Sequence, residues 1–220
     1  YFFVELGLGL IFLLVGLVEF GSGGSSLPGQ LRGMNGAAQQ SPLPIAPELL
    51  WIFGSHICLL SSLYAYALVR LESRRIPTGI FFAAMIAALA LLHANSAVAD
   101  SQWLGLTWLA GRPAEIGLIK LWSSLLVLVS LVLGNLLGHW TSQLLGKNRP
   151  PVAKRLLSRE ATIVLGTVGA FLGPCSTLAV GALALALFGL SMLMRQRATS
   201  YSLAALVATI IYFCLWRFLY

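Results

Sequence analysis

Apolar runs separated by short polar stretches organise the chain. They occupy residues 2–20, 49–69, 80–98, 116–140, 161–194 and 201–220. At about 1.5 Å per residue a helix of this size approaches or exceeds the roughly 30 Å of a bilayer core. The pattern predicts an all-α fold, a polytopic integral membrane helix bundle of about six membrane segments, with residues 1–220 forming a single membrane domain. The first run shows no basic stretch before it and no A-x-A site after it, so it does not read as a signal peptide.

The fifth run, "ATIVLGTVGAFLGPCSTLAVGALALALFGLSMLMRQR", is the longest, and it carries no charge before Arg195. As one straight helix its apolar part would extend roughly 50 Å. Gly173-Pro174-Cys175-Ser176 sits in its middle. Proline removes a backbone donor and crowds the carbonyl one turn back, so the fifth segment is expected to be broken or kinked at Pro174. Ser176 and Thr177 could supply hydroxyls to carbonyls exposed there. A broken helix at mid-depth is a device that transporters use to build substrate sites; an ordinary kink in a packed bundle is the alternative.

The stretches between the runs orient the chain. Residues 21–47 are rich in Gly, Ser, Pro and Gln with Arg32 as their one charge, which predicts a flexible, non-cytoplasmic loop. Arg70, Arg74 and Arg75 crowd one turn, and 147–159 holds five basic residues. Loops of this kind stay on the cytoplasmic side, which puts the N-terminus inside as well. Arg195 and Arg197 return to that side only if the fifth segment turns back on itself, so a hairpin-like break is favoured over a single crossing. Trp51, Trp103, Trp108 and Trp122 then fall near the outer boundary and Trp140 near the inner one, as an aromatic belt requires.

Composition sharpens the class. The chain is 58% hydrophobic and 10% charged, with a mean hydropathy of +0.87. Soluble domains carry about 25% charged residues. The bilayer is the expected partner, in a membrane of bacterial inner-membrane type. The net charge of +7 is scattered among loops and forms no dense patch, which argues against nucleic acid. Cys58, Cys175 and Cys214 lie in apolar runs with no CxxC, consistent with small buried hydrophobes.

Few polar residues remain as site candidates. His56 and His93 are placed toward the outer half, with Glu19 and Asp100 near the same face, and His139 lies toward the inner one. Imidazole and carboxylate suit a transition metal. His56 and His93 on neighbouring helices could hold a b-type haem or another tetrapyrrole. Hydrogen bonding across helices is the plainer reading. No HExxH, GxSxG or Walker A pattern is present, and Asp100 is the only aspartate, which removes paired-aspartate chemistry. An enzyme is therefore not the favoured reading. "GTVGAFLG" and "GNLLGHW" place glycines one turn apart for close helix contact, within the chain or with another membrane subunit.

Three functions stay open at this point. The first is movement of a small solute or ion, alone or as the membrane subunit of a larger assembly, along a pathway that would include Glu19, Asp100, Pro174 and Ser176. The second is a redox or pigment-binding subunit using His56 and His93. The third is a structural or assembly subunit with no site.

Overall fold

Proline and serine start several helices. Pro is tolerated in the first turn, where its missing N–H has no intrahelical partner, and α2 (Pro47–Leu71) and α5 (Pro151–Leu193) begin on one. Pro77, with φ −64° and ψ 132°, caps α3 (Thr78–Ala94), which ends at the extended residue Asn95. Ser200 caps α6 (Tyr201–Leu219), its Oγ accepting from Leu203 N at 3.2 Å. The remaining helices are α1 (Phe2–Gly21) and α4 (Ile116–Leu145). The computed structural model describes residues 2–21, 47–72, 74–95, 98, 116–145, 150–193 and 200–219. Among them the fold is all-α, with six helices and no strand. The 21–47 loop lies, but for its two end residues, outside the described residues.

One boundary differs from the sequence reading. Residues 151–159, expected within a basic loop, are the first turns of α5. Pro151 starts the helix, and the short stem "VAKRLLSRE" carries Lys154, Arg155 and Arg159 as helical side chains while Leu157 is buried.

α5 is a helical hairpin. Gly173 alone inside it leaves helical geometry, at φ 81° and ψ 176°, a region that essentially only glycine occupies. A Cβ built on Gly181 would lie 3.4 Å from a methyl of Leu165, and one on Gly169 would lie 2.9 Å from Thr177 Oγ1. In a straight helix the first pair would be roughly 24 Å apart and the second roughly 12 Å. Both pairs are centred on 173, so arms 151–172 and 174–193 run antiparallel from that residue. Gly173 serves as the left-handed stop of the first arm, and Pro174 is the first residue of the second.

α4 packs along this hairpin through a seam of small residues. A Cβ on Gly134 would lie 2.7 Å from Gly166 N, one on Gly138 would lie 2.7 Å from Thr162 N, and Ser130 abuts Gly169. The helices are antiparallel and touch at one-turn intervals. Small residues at these positions let the two backbones approach closely. The Gly-rich faces noted in the sequence are thus occupied within the chain. α2 lies at the centre, between α1, α3, α5 and α6. Its Leu59, Leu60, Leu63 and Tyr66 are fully buried and share one core with Val164, Leu165, Val168 and Phe171 of the first arm.

Candidate functional site at the hairpin turn

The hairpin turn is lined with polar side chains that an apolar sequence supplies sparingly. Thr177 Oγ1 donates to Gly173 O at 2.8 Å, which satisfies one carbonyl at the reversal. Ser176 Oγ and Tyr212 Oη share a hydrogen bond of 2.8 Å, tying the second arm to α6. Both side chains are buried. Phe213, next to Tyr212, packs its ring against His56 of α2 at 4.4 Å between centroids. Deeper along the first arm, Tyr66 Oη and Thr167 Oγ1 lie 3.2 Å apart. Ser130 Oγ, on α4 beside Gly169, is fully buried and has no hydrogen-bond partner among the described residues. The turn therefore gathers hydroxyls from α4, α5 and α6, with the α2 hydroxyl of Tyr66 farther down the first arm and no charged side chain among those named.

Electrostatics is concentrated at the other end of the hairpin. Glu160, only 5% exposed, accepts from Arg70 Nε on Oε2 at 2.9 Å. Its Oε1 accepts from Ser202 N at 2.8 Å and Ser202 Oγ at 2.7 Å. The carboxylate thus meets a first-turn amide of α6, that of Ser202, where a negative charge is favoured by the helix dipole. One residue joins α2, α5 and α6. Sequence reading passed over Glu160 because it closes a basic run. Its one signal was that it is the last charge before the long apolar segment, and three helices had to be assembled before its partners appeared.

The other sequence candidates separate. His93 is exposed at the end of α3; its Nδ1 donates to Leu89 O at 2.9 Å and its Nε2 lies 3.4 Å from Ser124 Oγ of α4. His56 instead packs toward α6. The two histidines thus serve different helix contacts. His139 is paired with Gln143, which in turn accepts from Lys154 and links α4 to α5. Pro174 and Ser176 are at the turn itself. Asp100 lies outside the described residues, and Glu19 lies in α1 with its side chain outside them. Among the described residues no group of three His, Cys, Asp or Glu side chains could hold a metal ion.

A comparison with family models, with curated proteins and with solved structures found no match for the chain.

Proposed function

We propose that this chain is a polytopic integral membrane protein that moves a small solute or ion, with the hairpin turn at Gly173 as the heart of its pathway. The observation that carries this reading is the reversal of α5 amid buried hydroxyls. Among the described residues two helices are long and apolar enough to cross a membrane, and the apolar window of each is half buried. A core helix of a soluble protein would be mostly covered. Leu6, Leu10, Leu13 and Leu17 of α1 stand exposed, as do Leu128, Val132, Leu136 and Trp140 of α4. Soluble monomers rarely expose contiguous apolar patches beyond a few hundred Å², so lipid is the natural cover.

Depth follows from length. The uncharged part of the first arm, from Ala161 to the turn, rises roughly 18 Å, short of the roughly 30 Å core. With the Arg70–Glu160 end at the cytoplasmic face, the turn sits within the bilayer. There the last carbonyls of one arm and the first amides of the other come together, and irregular backbone at such depth is tolerated where it faces protein or a wet cavity. Ser176, Thr177 and Tyr212 offer hydroxyls that a polar solute or a partly dehydrated ion can exchange for water. The second arm returns toward the end of the bundle from which the first arm starts, which agrees with a cytoplasmic position for the arginines that follow it in sequence, in a membrane of bacterial inner-membrane type.

Purified protein in vesicles tests this. Proton flux is read with internal pyranine, and glycerol and urea entry by stopped-flow light scattering. Permeation above that of protein-free vesicles, lost in Tyr212→Phe or Ser176→Ala protein that still inserts, supports the reading. Vesicles no leakier than controls to any of these probes would favour the assembly-subunit reading, and a Soret band in the absorption spectrum would favour the pigment-binding one.

A further inference from the structure

At the foot of the hairpin, away from the turn, the structure holds an open concavity lined by Arg70, Arg75, Ile76, Leu156, Arg159, Glu160 and Ile163. Three arginines and one glutamate supply its charged lining. That carboxylate is already engaged. Glu160 takes Arg70 on one oxygen and Ser202 on the other. Arg70 is engaged as well, since its Nη1 donates to Arg74 O at 3.0 Å. Arg74 has its own partner in Glu72 at 3.4 Å. Arg75 and Arg159 remain, and neither has an ion-pair or hydrogen-bond partner among the described residues. They are contributed by different segments, Arg75 by the link between α2 and α3 and Arg159 by α5.

We propose that this concavity binds a phosphate-type anion between Arg75 and Arg159, with Arg70 held at its floor by Glu160. Two guanidinium groups at one hollow, neither paired among the described residues, leave a local excess of positive charge there. The planar fork of arginine matches the paired oxygens of a phosphate. Ile76, which is buried, together with Leu156 and Ile163, supplies an apolar wall, and a low-dielectric wall strengthens the field inside a charged cleft. Glu160 has a definite role here: it removes Arg70 from competition and orients it, without reaching the anion.

The phosphate has two possible sources, free phosphate or the headgroup of an anionic lipid. The basic end of the hairpin is where headgroups of the cytoplasmic leaflet would lie. The anion site itself does not depend on the transport reading, because it is at the opposite end of the hairpin from the turn.

The full chain in dodecyl maltoside separates the sources. Its Tm is measured with sodium phosphate added, with sodium chloride at matched ionic strength, and with mixed micelles containing phosphatidylglycerol or phosphatidylcholine. A ligand that binds only the folded state raises the Tm in proportion to its occupancy. The expected result is a rise of a few degrees with phosphatidylglycerol, absent with phosphatidylcholine and chloride. An equal rise with sodium phosphate assigns the site to the free anion instead, and supports it all the same. Arg75→Gln and Arg159→Gln, one at a time, should each weaken the response by roughly tenfold or more, the scale of one charge-assisted hydrogen bond. Neither loses a partner among the described residues, so the ligand-free Tm should stay put. Arg155→Gln, exposed and outside the hollow, should leave the response intact. The proposal is overturned if neither phosphate nor phosphatidylglycerol raises the Tm, or if Arg155→Gln weakens the response as much as Arg75→Gln does.

Discussion

Adding one methyl group at Gly134 should force α4 away from the hairpin. A Cβ there would lie 2.7 Å from Gly166 N and 2.9 Å from the carbonyl carbon of Leu165. Both are backbone atoms, which cannot rotate aside as a side chain would. Ordinary contact begins near 3.4 Å, so the seam must open by about 0.7 Å at this point. Gaps of this size forfeit a quarter to a half of the dispersion energy of each contact affected. Inserting a methyl group into a packed interior typically costs about 1–3 kcal/mol, and Gly134→Ala belongs at the upper end. In a chain of this size that corresponds to a fall in Tm of very roughly 4–12 °C. Gly138→Ala meets Thr162 N at the same 2.7 Å and should cost about as much. One outward shift of α4 relieves both clashes, so the double variant should cost clearly less than the sum of the two singles. Gly54→Ala is the control, since nothing lies within 4 Å of its Cβ; it should be neutral or slightly stabilising, because alanine is the better helix former. Thermal unfolding of the purified protein in detergent, followed by circular dichroism, measures all four variants. If Gly134→Ala melts within a degree of the parent, or if the two singles add fully, the close seam described here is wrong.

Three further outcomes are expected. Gly173→Ala must place a side chain at φ 81° and ψ 176°, at a cost of about 1–3 kcal/mol, whereas Pro174→Ala should cost less, because it leaves the reversal at Gly173 intact; comparable melting of the two variants would contradict this ordering. Cysteines placed at 165 and 181, in a chain lacking Cys58, Cys175 and Cys214, should cross-link on mild oxidation, because these positions touch across the hairpin; a failure to cross-link in folded protein would mean that the arms do not fold back. Glu160→Gln should lower stability by about 1.5–3 kcal/mol, the scale of hydrogen bonds to a charged group, with Glu160→Ala worse because Ser202 then loses its acceptor entirely; chemical denaturation in detergent reads the difference, and parity with the parent would show that the three-helix junction contributes nothing.

Among the described residues the number of helices and most of their positions were legible in the sequence, because each apolar run is long enough for a helix that closes its backbone hydrogen bonds within the segment. Runs of apolar residues bounded by Pro, Gly and charge therefore translate almost directly into α2, α3 and α6. The interruption in the fifth run was legible for the same local reason: proline cannot donate, and the glycine before it is free to adopt a positive φ. The beginning of α5 was misread, since a basic stretch can be a loop or a helical stem with equal ease, and Leu157 takes its burial from neighbours distant in sequence. A reversal of the fifth segment was favoured already by the arginines at 195 and 197, but tertiary structure alone fixed the angle between its arms. That angle depends on whether Leu165 can meet Gly181 and whether α4 can lie against both arms, which no single-segment pattern records. It also gave Glu160 its partners on two other helices and sent His56 and His93 to different contacts. Spacing along one chain sets which face of its own helix a side chain occupies; what stands opposite that face is set by how the helices pack.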